Sequence, residues 1–167
     1  GKIMVTFTGG YRDSGSVINH SFDGYFVNDH EVKGVKTVTN KGRNADGNLS
    51  FEIDVDGEVV KPGNAGTITW KSSRTREWVE GEGTFTWFDD VYLIGGNATG
   101  QTAAGTNYTV DITKKLRKEI GFRHLVSGTI DFKPGNKPVR TIDYGDGTRD
   151  NKATVTINGI AFDIVLR

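Results

Sequence analysis

Leu49-Ser50-Phe51-Glu52-Ile53-Asp54-Val55 is apolar at every odd position and polar at every even one. Successive side chains of a strand point to opposite faces, so this stretch reads as a strand with one face toward a core. Asp56-Gly57 follows and Glu58-Val59-Val60 returns, which predicts a hairpin turning at Asp56-Gly57. The same alternation recurs outward in both directions. Lys2 to Thr8 is β-branched and aromatic and stops at Gly9-Gly10. Phe22 to Val27 and Val32 to Thr39 flank Asn28-Asp29, and Ala153 to Ile157 and Ile160 to Leu166 flank Asn158-Gly159. Such dipeptides suit the positive φ of a two-residue hairpin loop. Between Thr67 and Trp87, Ile68, Trp70 and Trp78 share one parity, whereas Phe85 and Trp87 take the other. The change near Gly81-Glu82-Gly83 predicts a bulge or a turn. Only Lys114 to Ile120 (KKLRKEI), with Leu116 and Ile120 four apart, predicts a short helix.

The expected fold is therefore all-β and antiparallel: a β-sandwich or a twisted β-hairpin array of about ten to twelve strands, one domain over residues 1–167. An apolar-x-Gly element recurs at Val32-Lys33-Gly34, Val79-Glu80-Gly81 and Val126-Ser127-Gly128, without the fixed period of a solenoid.

The 21 basic side chains balance the 21 acidic ones. A chain without an overall positive field is a poor partner for nucleic acid or an anionic membrane surface. Cysteine is absent, which excludes disulfides, thiolate nucleophiles and zinc–cysteine sites. No apolar run is long enough for a transmembrane segment. The chain begins at Gly1, as one does whose leader has been trimmed.

Few residues suggest chemistry. Asp143, Asp146 and Asp150, on a glycine-containing loop with Arg149 among them, form a candidate calcium site, although their spacing is not that of an EF-hand. The blander reading is that these acids cap the turn's own amides. Trp70, Trp78, Trp87 and Tyr92 are candidate ligand-binding aromatics, able to stack on sugar rings or anchor a protein, although tryptophan more often belongs to a core. Lys71, Arg74 and Arg76 read as a small basic strand face exposed to solvent. Asp89-Asp90 resembles a glycosidase acid pair only superficially, because adjacent strand residues diverge. His20, His30 and His124 have no ligand spacing, and no nucleotide-binding or nucleophile motif occurs.

Ile142-Asp143-Tyr144-Gly145-Asp146-Gly147-Thr148 resembles the turn of polycystic-kidney-disease-type sandwich domains. Together with Ser73 to Gly81, Asp89 to Gly96 and Asp150 to Gly159, it also resembles a family of uncharacterised Bacteroidota cell-envelope proteins, many of them lipoproteins. Those relatives often carry cysteine near the positions of Phe122 and Arg149, which this chain lacks. The resemblance implies an extracytoplasmic, β-rich protein of a bacterial surface and no catalytic residues. The expected function is a non-catalytic binding or structural module, joined to a protein partner or to itself through sheet edges. The alternatives are a carbohydrate-binding module and, below it, a glycan-acting enzyme.

Overall fold

A single row of paired residues crosses the whole molecule: Phe7, Ile18, Val38, Ile53, Arg74, Gly96, Ile112, Ile130, Ile142, Val155 and Phe162. Directly paired residues of antiparallel strands point to the same face. The next row, displaced by one residue, runs Thr6, Asn19, Thr37, Asp54, Ser73, Asn97, Asp111, Asp131, Thr141, Thr156 and Ala161. One face is thus aliphatic and aromatic, and the other consists of threonine, serine, asparagine and charge.

The computed structural model describes all 167 residues, Gly1–Arg167. Its strands are β1 (Lys2–Phe7), β2 (Val17–Asp23), β3 (Tyr25–Val27), β4 (His30–Arg43), β5 (Leu49–Val60), β6 (Thr67–Glu80), β7 (Val91–Gln101), β8 (Asn107–Glu119), β9 (Leu125–Pro134), β10 (Arg140–Asp146), β11 (Lys152–Ile157) and β12 (Ile160–Val165). They form one open antiparallel sheet in sequence order. β2 and β3 are two halves of one interrupted strand against β4, parted at Gly24. Of the two expected architectures the hairpin array is the one that forms, and no second sheet packs on it.

A single layer buries little. Only 19 residues are buried, and the accessible surface is 10051 Å², against about 8,100 Å² for an ordinary globular chain of this mass. Cohesion comes from the ladders, which supply 82 of 102 backbone hydrogen bonds. The one true core lies where the Gly9–Ser16 loop straps across the apolar face. Beneath it are Ile18, Val38, Leu49, Phe51, Ile53, Trp78 and Tyr92. Tyr11 of the strap stacks on Phe51 at 4.8 Å, and Asn40, 2% exposed, ties the strap down. Its Nδ2 donates to the Tyr11 carbonyl at 3.0 Å, while its own carbonyl accepts from Gly15 N at 2.8 Å.

Three sequence expectations are corrected. Asp56-Gly57 does not turn: β5 runs straight through it, because Gly57 pairs with Gly34 on one side and Trp70 on the other. Lys114 to Ile120 is not helical but the end of β8. Three register irregularities there shift the parity, so that Leu116 and Glu119 are both buried. Phe85 and Trp87 are not on a strand, because β6 ends at Glu80 and a loop follows. By contrast, Asn28-Asp29 (φ 47° and 63°) and Asn158-Gly159 (φ 51° and 79°) are the expected hairpin loops.

The apolar-x-Gly recurrence also has a physical basis. Gly34 and Gly128 lie inside strands at φ +114° and +106°, as does Gly96 at +118°. A Cβ at Gly96 would lie 2.2 Å from the Ser73 carbonyl oxygen. These glycines kink their strands where the sheet coils. Gly96→Ala is expected to destabilise the fold by more than about 2 kcal/mol, whereas Gly83→Ala, in open space, should cost within about 0.5 kcal/mol. Urea unfolding of the two variants measures the difference.

Candidate functional site

The apolar face is interrupted by polar groups in one place only near its centre. The row next to the first runs Val5, His20, Lys36, Val55, Ser72, Ala98 and Val110. It places His20, Lys36 and Ser72 on the same face as Arg74, and Arg76 follows two residues along β6. The strand thus carries Ser72, Arg74 and Arg76 inward on the parity of Trp70 and Trp78. The sequence reading of Arg74 and Arg76 as a solvated face is corrected: both are half-buried, and only Lys71 points to the polar side, where it pairs with Asp56 at 2.9 Å.

Arg76 lies 5.1 Å from the ring centroids of Phe51 and Tyr92 and donates to the Tyr11 hydroxyl. Tyr92 Oη donates to Asp90 Oδ2 at 3.2 Å, and Asp90 itself is 7% exposed. Burial, and then the Asp90 charge, push the Tyr92 phenol far up. Burial likewise raises Tyr11, against the pull of Arg76. Both phenols stay protonated near neutrality and act as hydrogen-bonding groups rather than bases. Burial, and then the neighbouring Arg76, lower the Arg74 guanidinium. Burial, then Arg76 and Arg74, lower the Lys36 ammonium.

The aromatics singled out from the sequence separate into different places. Trp78 (7% exposed) and Tyr92 (9%) pack against each other at a tilt in the core, centroids 5.6 Å apart, and offer no ring to a ligand. Trp70 is half-buried in a ladder with Tyr108, whose hydroxyl reaches over Gly100 to donate to the Thr69 carbonyl at 3.1 Å. Trp87 stands out on the Gly81–Asp90 loop, stacked on Phe88 at 3.9 Å, beside a fully exposed Phe85.

Asp143, Asp146 and Asp150 line one surface hollow but do not come together as a metal-binding group. Each carboxylate is used on its own turn: Asp143 Oδ1 accepts from Gly145 N at 2.8 Å, Asp146 Oδ1 from Thr148 N at 3.1 Å, and Asp150 Oδ1 from Lys152 N at 3.0 Å. Nowhere do three or more His, Cys, Asp or Glu side chains come together as a metal-binding group. Arg149 turns away from these acids to Glu119, 2.6 Å off.

The two sheet edges form the remaining candidate surface. β1 presents Ile3, Val5 and Phe7 on the apolar face, and β12 presents Ile160, Phe162 and Ile164, all exposed. Neither edge has a proline or a bulge. No helix is long and apolar enough to cross a membrane. The chain matches no family model, no curated protein and no solved structure in comparisons with each.

Glu119, 8% exposed, is the buried acid of the β8 end. Burial pushes its carboxyl up, but bonds from Arg149 and Arg117 outweigh that and hold it below the ordinary value of 4.5. Its contribution to stability is present above that ordinary value and is lost as pH falls through the lower folded one. Glu119→Gln should therefore flatten the acid limb of the stability–pH curve and cost about 1–3 kcal/mol at neutral pH. Denaturation at a series of pH values tests this, and parallel acid limbs would refute it.

Proposed function

We propose that the chain is a non-catalytic binding or structural module of a bacterial surface, extracytoplasmic, which associates with copies of itself through its sheet edges. One observation carries this reading: both edges are unbulged, free of proline and lined with exposed apolar side chains, where proteins that stay apart blunt such edges with charge, prolines or bulges. The resemblance to cell-envelope proteins supports the location.

β12 is the better-suited edge, since β1 begins with Lys2. The two-residue loop at Asn158-Gly159 makes Ile157 and Ile160 a hydrogen-bonded pair, so Ala161, Asp163 and Val165 turn their backbone groups outward. A two-fold axis at Phe162 sets Ile160 against Ile164 of the second copy and Asp163 against Ala161, so no like charges face each other. Oxidised Phe162→Cys should then form a covalent dimer of the 18.2 kDa chain, because non-hydrogen-bonded partners lie within disulfide reach. Asp163→Cys should not. Sedimentation of the wild type at one copy's mass up to high concentration, with no cross-link from Phe162→Cys, would remove the reading.

The exposed Trp87–Phe88 stack favours a second reading, carbohydrate binding at the Gly81–Asp90 loop. A glycan array should then show a signal that Trp87→Ala abolishes, and a blank array with the wild type ends it.

A further inference from the structure

The unmet hydrogen-bonding groups of this molecule are not scattered. Seven buried side-chain atoms have no partner, and five of them belong to inward side chains of β2 and β6: His20 Nδ1, Ser72 Oγ, Arg74 Nε, Arg76 Nε and Trp78 Nε1. All but the histidine nitrogen, whose role depends on its tautomer, are groups able to donate. Lys36, on the strand between, belongs with them: neither it nor Arg74 is in any of the eight ion pairs or any side-chain hydrogen bond.

The reason is parity. The carboxylates of β5, Glu52, Asp54, Asp56 and Glu58, all fall on the opposite face, because Phe51, Ile53 and Val55 take this one. The acid on this side, Asp90, sits immediately before β7; Tyr92 donates to its Oδ2, its Oδ1 has no partner, and it is in no ion pair with Lys36, Arg74 or Arg76. A cluster of cations that the fold itself cannot pair is therefore held together, its charges repelling one another. Around it the face is aliphatic, with Val38, Ile53, Val55, Ala98 and Val110. Gly96, paired with Arg74, adds no side chain of its own.

We propose that this island, Lys36, Arg74 and Arg76 with the Ser72 hydroxyl, binds the anionic head of an amphiphile, a carboxylate or phosphate carried on an apolar chain. The guanidinium fork of Arg74 supplies paired donors to a planar or tetrahedral anion. Lys36 adds a point charge from the neighbouring side, and Ser72 a donor between them. Val38, Ile53 and Ala98 are buried, so the apolar body lies along the half-buried Val55 and Val110. The site is on the face and independent of the sheet edges, so the edge variant Phe162→Lys leaves it intact.

Calorimetric titration of the 167-residue chain tests the proposal with decanoate, decyl phosphate, inorganic phosphate and decyltrimethylammonium, each below its micellar concentration. One or both decyl anions should bind, at least tenfold more tightly than inorganic phosphate, and the cationic amphiphile should not compete. Arg74→Met and Lys36→Met should each weaken the decyl anion at least tenfold. Both should leave the ligand-free melting temperature unchanged or higher, since each relieves repulsion. Lys36→Met also serves if Arg74→Met does not fold. Absence of binding by both decyl anions, equal binding of the cationic amphiphile, or affinity untouched by both substitutions would overturn the proposal. Inorganic phosphate binding as tightly as decyl phosphate would overturn its amphiphile part.

Discussion

Lateral hydrogen bonding between neighbouring strands carries this structure. In a two-layer protein the ladders set register and the core supplies most of the cohesion. Here there is no second layer over most of the sheet, so register and cohesion come from the same contacts. Each strand holds its neighbour through backbone bonds and through side chains leaning on the same face. The row from Phe7 to Phe162 shows the result, with nine of its eleven members apolar across strands far apart in sequence. A one-residue slip anywhere would put threonines and aspartates into that row.

The same constraint explains where the molecule is thick and where it is thin. The strap over β4, β5 and β6 covers the one clustered core, and it is held by a fully bonded asparagine rather than by apolar contact alone; Val126, Leu116 and Ala153 are buried singly elsewhere. Toward β1 and β12 burial falls away until every residue of both edge strands is exposed. The edges retain the full apolar alternation of the interior strands without their shielding. Local opening of such a sheet is therefore expected to begin from its sides.

Much of this was legible in the sequence. Alternation in Leu49 to Val55 and the turn chemistry of Asn28-Asp29 and Asn158-Gly159 needed only local information. Asp56-Gly57 misled because turn propensity is weak beside pairing on both flanks. Lys114 to Ile120 misled because irregularities in β8 turn a two-residue period into something close to a helical one. Four candidate aromatics could not be divided into core and surface without knowing that the Gly9–Ser16 loop lies over Trp78 and Tyr92. The aspartates of the Asp143–Asp150 turn serve neighbouring amides, as their turn chemistry alone suggests. The inward course of Arg74 and Arg76 is readable in their shared parity with Ile68, Trp70 and Trp78, although their charge points to solvent.

The inward course of these cations sets the energetics of the face. A half-buried cation on an aliphatic surface loses hydration and normally recovers it by pairing, as Arg117 does with Glu80 and Glu119. Arg76 recovers part through the rings of Phe51 and Tyr92 and the Tyr11 hydroxyl. Arg74 and Lys36 have no such compensation within the chain. An aliphatic residue at either position would continue its row and remove the repulsion, as the row does at Ile112, Ile130 and Ile142. The fold gains nothing in register or packing from a guanidinium beside Gly96. Backbone geometry requires Gly96 and packing accounts for the other members of the row, which leaves Arg74 alone unexplained by stability, and what it does must be sought in what the face can hold.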